Sequence, residues 1–439
     1  MEAFALRSSL LLDISRLVWR ARRRSPTGID RVELAYAQHF IAAGDSRPAY
    51  AAVHLLGAIL ALKPNGARRL IMAIERRWSG EATLTRWQAL EALARIYLTF
   101  LTAGWLVGPW LRRALRAGGR QPIFLVVSHH HIARTFTMRR IRRTLGAKTA
   151  CLVHDLLPLE YPEYFMHGWE VKYRRLSRNV GQLFDAVITG SESTAESVRA
   201  CLRAQPVRAH SRITIRTAAL GARAFPQSRL PGPAADERPY FVVLGTIEPR
   251  KNHLLLLNLW ARLGATLPQP PRLVVIGVRG WENEQVVDML ERSNRLRGLV
   301  AEYTWLTDTE VGAWLHGARA LLLPSFAEGF GLPLVEALAS GVPVICSDIH
   351  VFREVGGNVP EYLDPLSLHT WSEMVLDYAQ PDSTRRAAQL ERLAHWRVPT
   401  WASHFAAVER LLGEMGEAVP AMASRTPALP RLAGASQLE

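Results

Sequence analysis

Two glutamates eight residues apart, Glu328 and Glu336, bracket the segment Glu-Gly-Phe-Gly-Leu-Pro-Leu-Val-Glu. An apolar run ends at Pro324 and a loop follows. The pattern predicts a helix opening at Pro333, where a missing N–H and a fixed φ are tolerated. Gly341 and Pro343 close that helix after little more than two turns. Gly329 and Gly331 allow close approach of a ligand to backbone N–H groups beside a helix N-terminus, a setting suited to a diphosphate. Glu328 in the loop and Glu336 in the first turn then stand on either side of that anion site, where carboxylates accept from ligand hydroxyls. Singly, Glu336 reads as an acid offsetting the helix dipole and Glu328 as an ordinary loop carboxylate. A phosphorylated, polyhydroxylated ligand accounts for the two together.

Two further segments carry matching chemistry. In FVVLGTIEPRKNH, 241–253, a strand runs into the Gly245 turn, and Arg250 and Lys251 stand where the next helix starts. Adjacent cations there neutralise a diphosphate leaving group as charge builds on it. In TACLVHDLLP, 149–158, His154 and Asp155 fall at the carboxyl end of a strand, the edge where open α/β sheets bind ligands. His154 is placed to meet a sugar hydroxyl or an oxocarbenium-like transition state; the plainer reading is a His-Asp pair organising a loop. His129, His130 and His131 also follow a strand. Consecutive extended residues point to alternate sides, so a shared metal is not expected and an acceptor contact is the alternative. Ser191-Glu-Ser193 predicts a helix start, and Arg279-Gly-Trp281 a wall of a base pocket.

The elements that must position these groups are legible as short apolar runs: 10–14, 123–127, 150–153, 186–189 and 213–215, then 240–245, 272–277, 320–323 and 342–346. Runs without polar alternation fit parallel strands buried on both faces, and helical stretches between them imply βαβ crossovers. The expected class is α/β with two Rossmann-like domains. They divide near residue 235, within the proline-rich stretch 225–239, into domains over 1–235 and 236–416. Residues 417–439 are expected to be a disordered tail. Residues 55–120 predict a basic helical insertion in the first domain, enclosing the uncharged run 96–111. That run is shorter than the roughly 20 residues of a membrane span. With Trp105, Trp110 and flanking arginines it suits an interfacial anchor on an anionic leaflet, or a buried helix pair.

Charge is uneven. Residues 1–150 hold 25 Lys and Arg against 8 Asp and Glu, whereas the whole chain is +15. The first third therefore carries all of the net positive charge, which favours an anionic partner. No nucleic-acid recognition motif accompanies it, so nucleic acid is not expected. The three cysteines form no metal-ligand or disulfide pattern, and the N-terminus shows no signal-peptide pattern, which fits a cytoplasmic protein, peripheral on the inner membrane face if anchored.

The EGFGLPLVE segment resembles the E-x7-E segment of family-4 retaining glycosyltransferases (glycosyl transferases group 1), which adopt the GT-B fold of two Rossmann-like domains facing a central cleft. The resemblance covers most of the chain after residue 150 and the segment Ser25-Pro-Thr-Gly28-Ile-Asp-Arg31. It implies that the domain over 1–235 is acceptor-side, that the domain over 236–416 binds the nucleotide sugar, and that the last helices cross back. It also implies that Glu328 contacts the donor sugar and Glu336 the nucleotide ribose, with Gly329, Phe330, Gly331 and Leu332 offered to the donor. Gly245 and Lys251 match the family's glycine-to-lysine spacing for the diphosphate; the family's arginine position is Thr246 here, and Arg250 supplies the missing cation. Gly28, with Arg31, faces the diphosphate across the cleft, and the family's cleft histidine falls on His154. The implied reaction is retaining transfer from a nucleotide-sugar co-substrate, without a further cofactor or metal, to a glycan or lipid-diphosphate-linked acceptor. The GTIEPRKN variant resembles bacterial mannosyltransferases of surface-polysaccharide assembly, so GDP-mannose is the first expectation and a UDP-sugar the alternative. A GT-B-like epimerase and a non-catalytic nucleotide- or glycan-binding protein are the rival classes.

Overall fold

The computed structural model describes residues 8–23, 26–43, 48–55, 58–79, 104–106, 121–205, 213–226 and 238–416, with a few isolated positions between 91 and 115. Among these residues the strands form two sheets. The first contains β1 (Leu10–Asp13), β2 (Ala49–Leu55), β3 (Ala58–Leu62), β4 (Gly104–Leu106), β5 (Ile123–Val126), β6 (Lys148–Val153), β7 (Ala186–Thr189) and β8 (Thr214–Thr217), in the order β4-β3-β2-β1-β5-β6-β7-β8. The second contains β9 (Tyr240–Leu244), β10 (Arg272–Ile276), β11 (Val300–Tyr303), β12 (Leu321–Leu323), β13 (Val344–Ser347) and β14 (Glu361–Leu363), in the order β11-β10-β9-β12-β13-β14. Every pairing in the second sheet is parallel, and so are the pairings among β1, β2 and β5 to β8 in the first.

Parallel pairing needs a crossover on a sheet face, so strands such as β1, β5, β7, β12 and β13 are buried along their whole length. The order of each sheet reverses once, between β1 and β5 in the first and between β9 and β12 in the second. At such switch points the loops leaving the two strands diverge and open a crevice at the carboxyl edge.

The expected helical insertion is corrected at its start. β2 and β3 pair antiparallel, Val53 opposite Leu60, and β4 adds to β3. The helix Pro64–Ser79 follows. Ala58–Leu62 falls in the stretch expected to be helical, but pairing against β2 and β4 overrides that local propensity. Most of the uncharged run 96–111 lies outside the described residues, as do most of the proline-rich linker and residues 417–439. No described helix is long and apolar enough to cross a membrane.

The two domains are in contact. The helix Trp401–Gly416 packs on β7 and β8 of the first sheet. His404 on that helix lies 2.8 Å from the Tyr36 hydroxyl, and Arg216 pairs with Glu414 at 2.9 Å. Nearer the cleft, Glu354 accepts from the backbone N–H groups of Glu192 at 2.6 Å and Ser193 at 3.1 Å, which lie at the start of the helix Glu192–Arg203.

Candidate active site

The carboxyl edge of the second sheet presents two loops, one after β9 and one after β12, and each needs glycine. Gly245 has φ +143°, and Gly277 packs so closely that a Cβ there would fall 1.8 Å from the Gly245 carbonyl oxygen. The turn leads into a short 3-10 helix, Pro249–Lys251, and through Asn252, at φ 53°, into the helix His253–Thr266. The Lys251 side chain folds back beneath the turn: a Cβ on Gly245 would lie 3.7 Å from Lys251 Nζ.

Glu328, in the loop after β12, is where the two loops meet. Arg250 Nη1 donates to Glu328 Oε2 at 2.6 Å, Lys251 Nζ donates to Oε1, and the Ser325 hydroxyl donates to Oε1 at 2.9 Å. Arg250 also pairs with Glu248 at 2.6 Å. Burial alone would raise the Glu328 pKa; the adjacent Arg250 and Lys251 charges overcome that and hold it at about 2. Burial pulls the Lys251 ammonium below its usual range, against the pull of Glu328. The four side chains, two cations and two carboxylates, carry no net charge together. The cations are therefore fixed in place by carboxylates.

Gly331, at φ +92°, caps the helix Leu332–Ala339, and Gly341, at φ +76°, follows its end at Ser340. The helix begins one residue before the expected Pro333, so Glu336 is its fifth residue and lies just past the first turn. That correction weakens the dipole account of Glu336, because the effect fades beyond the first turn. Glu336 is 9% exposed, and burial raises its pKa to about 7 despite Arg31 nearby. Phe330 turns its ring into the core, leaving its backbone as the part offered to a ligand.

The first domain supplies the opposite wall. His154 follows β6, and its Nε2 lies 2.8 Å from the Val127 carbonyl oxygen, which fixes the proton on Nε2 and leaves Nδ1 as an acceptor. Burial lowers its pKa to about 4, so the ring is neutral. Its backbone N–H donates to His129 Nε2 at 2.8 Å. Gly28 opens the helix Gly28–Ala37, where Asp30 accepts from the Thr27 backbone N–H at 2.8 Å and from Arg20 at 3.0 Å. Three residues on, Arg31 forms a two-pronged ion pair with Asp308, the first residue of the helix Asp308–His316 in the second domain. The Gly329 carbonyl accepts from the Ser191 hydroxyl at 2.8 Å and the Thr194 hydroxyl at 3.0 Å.

All these expected residues line one cleft of about 500 Å³ between the domains: Gly28, Arg31, His154, Gly245, Arg250, Lys251, Glu328, Gly329, Phe330, Gly331, Leu332 and Glu336. Trp281 lines it too, with its indole N–H on the Tyr164 carbonyl at 3.1 Å. Arg279 does not; it is paired outside with Glu302 and Glu291. Trp305 and Asp308, after β11, were not anticipated, although their place at a strand's carboxyl edge is a signal that could have found them. The histidine run departs from its expected extended form. His129–Ile132 is one helical turn capped by the Ser128 hydroxyl, which brings His129 to His154 and turns His131 toward Asp13.

The arrangement provides a fixed carboxylate, two cations, a helix N-terminus and a neutral imidazole around a volume of the size that small-molecule ligands occupy. The family model "Glycosyl transferases group 1" matches residues 226–358, and "Glycosyltransferase Family 4" matches residues 35–211. The O-antigen chain mannosyltransferase B of Escherichia coli is 35% identical over 162 residues, 37% of this chain and 42% of that protein. The serotype-specific mannosyltransferase WbdA of Escherichia coli is 30% identical over 224 residues, 48% of this chain and 27% of that protein. The O-antigen chain mannosyltransferase RfbU of Salmonella typhimurium is 27% identical over 53% of this chain and 62% of its own length. The chain thus spans less than half the length of the first two of these relatives. Among solved structures, Anabaena HepE in complex with UDP and glucose aligns over 92% of this chain and 99% of that chain, with TM-score 0.59 and 14% identity. Sucrose-phosphate synthase from Thermosynechococcus elongatus aligns over 93% and 98%, with TM-score 0.55 and 15% identity. At such identity the likeness concerns the fold, which is GT-B.

Proposed function

Because the chain belongs to the glycosyltransferase family described by the group 1 and family 4 models, we propose that it moves a sugar from a nucleotide diphosphate donor to a hydroxyl of a lipid-linked or polysaccharide acceptor, with retention, in surface-polysaccharide assembly. The donor is GDP-mannose in this reading, and the names of the mannosyltransferase relatives support it. The observation that carries the proposal is the Glu328 carboxylate, held between Arg250 and Lys251 at the carboxyl edge of β12 and facing His154 across the cleft.

In the proposed reaction the donor diphosphate lies over the Gly331–Leu332 helix start, within reach of Lys251 and Arg250, which stabilise the charge on the departing nucleotide without a metal. Glu328 accepts from hydroxyls of the transferred sugar and Glu336 from the ribose. His154 meets the sugar from the first domain. Contact between the domains excludes water that would otherwise hydrolyse the donor. The protein works in the cytoplasm at the inner membrane face. On the helix Thr135–Leu145, Phe136 is 79% exposed beside exposed Arg139, Arg140 and Arg143, a basic amphipathic face suited to anionic headgroups.

The test is a donor screen with purified protein: GDP-, UDP-, ADP- and dTDP-sugars, read by donor hydrolysis and thermal shift, with the product's anomeric configuration read by NMR. GDP-mannose turnover is expected without any added divalent metal. A UDP-sugar preference would replace the donor assignment, interconversion of donor sugars without acceptor would make the protein an epimerase, and binding without turnover would make it a non-catalytic receptor.

A further inference from the structure

The switch point of the first sheet holds a second cluster of chemistry-bearing groups, and it is outside the cleft. Asp13 ends β1, His54 lies near the end of the neighbouring β2, and His131 lies in the helical turn after β5. Three segments far apart in sequence therefore converge at one carboxyl edge. All three side chains are buried, and one ligand atom from each lies within 4.8 Å of the others. None of the three lines the cleft that holds Glu328 and Lys251.

The atoms that meet are the three that bind metals. Asp13 Oδ2 is 2.6 Å from His131 Nδ1 and 3.8 Å from His54 Nε2, and the two imidazole rings have centroids 4.1 Å apart. A tetrahedral ion with bonds of about 2.0–2.1 Å sets neighbouring ligand atoms about 3.3 Å apart. The two Asp13 separations bracket that spacing and no pair of ligand atoms lies beyond 4.8 Å, so parting Asp13 from His131 and drawing His54 inward, by shifts on the order of 1 Å, would seat the ion. The outer oxygen of the carboxylate is already held: Asp13 Oδ1 accepts from the Ser15 backbone N–H at 3.0 Å and from the Ser15 hydroxyl. The Ser15 hydroxyl in turn accepts from the His54 backbone N–H at 2.9 Å. Such support leaves Oδ2 aimed inward and fixes the ligand geometry from behind.

One observation a self-sufficient hydrogen-bond network does not explain is His54 Nε2. The side chain is 4% exposed, its nitrogen points into the cluster, and it has no hydrogen-bond partner among the described residues. Leaving a buried imidazole nitrogen unpaired is costly, whereas a cation gives it a bond.

We propose that Asp13, His54 and His131 bind one divalent first-row transition cation, zinc by ligand type. Two imidazole nitrogens and a carboxylate match the three-ligand zinc sets, with the fourth position left to a water. The ion pins the ends of β1 and β2 and the turn 129–132. His129 in that turn accepts from the backbone N–H of His154, so the ion also steadies the first-domain wall of the cleft.

The experiment uses the full chain without a polyhistidine tag. Metal content is measured by plasma mass spectrometry after purification and after incubation with zinc and desalting, and cobalt is added to the chelator-treated protein to read visible absorption. The expected results are about one equivalent of zinc per chain, the absorption of low-symmetry four-coordinate cobalt, and a fall in Tm with chelator that zinc reverses. His54→Gln, which keeps volume and a polar tip, is expected to lose most of the bound metal while its circular dichroism matches wild type. Absence of tightly held zinc or cobalt in the wild type, or unchanged stoichiometry in His54→Gln and His131→Gln, overturns the site. These readouts do not involve donor or acceptor, so the outcome is independent of the proposed transfer.

Discussion

Arg31 in the first domain and Asp308 in the second form a two-pronged ion pair across the cleft, with N···O distances of 2.8 and 2.5 Å. The pair joins the glycine-led helix of one domain to the first residue of a helix in the other, so it reports domain closure directly. It is partly buried, with side-chain exposures of 27% and 12%, so it is screened less than a surface pair.

The Arg31–Asp308 pair is expected to couple the domains by about 1 kcal/mol or more in a double-mutant cycle of Arg31→Ala and Asp308→Ala, read as donor-dependent thermal shifts. Arg31→Lys retains charge but loses the fork and is expected to recover less than half of the coupling. Additive single effects would mean that the pair plays no part in closure.

The neutral quartet of Glu248, Arg250, Lys251 and Glu328 gives a sharper expectation than loss of activity alone. In Glu328→Gln the two cations are no longer neutralised by that carboxylate. Nucleoside diphosphate affinity is then expected to hold or rise, while kcat falls about 10²-fold or more. Lys251→Ala is expected to lose both. A Glu328→Gln protein with weakened nucleotide binding and normal kcat would reverse the assigned role.

Glu336 sets a pH dependence. Burial raises its pKa from 4.5 to about 7, so the folded protein holds a proton that the unfolded chain has lost. Its contribution to stability is fully present below pH 4.5 and is lost as pH rises through about 7. Hydroxyl binding needs the ionised form, so affinity for an intact nucleotide sugar, whose diphosphate does not titrate here, is expected to rise several-fold from pH 6 to 8. Isothermal titration of wild type against Glu336→Gln checks this; an equally steep rise in the variant would assign it to another group.

How much of this was legible depended on how local each signal is. Eight of the nine strands visible as apolar runs are central parallel strands, buried on both faces; the ninth, β8, is an edge strand that is at most half-buried. β11 and β14 are only half-buried along their lengths, so Val-Ala-Glu-Tyr and Glu-Tyr-Leu carry no such run. β3, Ala-Ile-Leu-Ala-Leu, lies in the stretch that local propensity assigns to helix. The Glu328–Glu336 segment states its own chemistry, since its glycines, proline and carboxylates act within nine residues. Asp308, by contrast, carries only the weak signal of standing past a strand's carboxyl edge, and its partner Arg31 lies 277 positions away. The cluster of Asp13, His54 and His131 was hidden twice over: by separation along the chain, and by the Ser128 cap that makes a helical turn of a segment expected to be extended.

Gly329 offers a way to separate closure from folding. A Cβ there would fall 2.6 Å from the His154 carbonyl oxygen and 2.9 Å from Asp155 Cβ, both in the opposite domain. Its φ is not positive, so alanine strains no backbone. The clash is relieved by parting the domains, which would also stretch the bonds from Ser191 and Thr194 to the Gly329 carbonyl. Gly277→Ala is the contrasting case, because its 1.8 Å conflict with the Gly245 carbonyl lies inside the second domain and no hinge relieves it. Gly329→Ala is therefore expected to keep wild-type circular dichroism, show a larger radius of gyration in small-angle scattering with donor present, and lose about 10²-fold in transfer rate. Gly277→Ala is expected to lose solubility or several degrees of Tm. Full transfer activity in Gly329→Ala would show that the close approach of His154 to the Glu328–Glu336 segment is not needed for the chemistry.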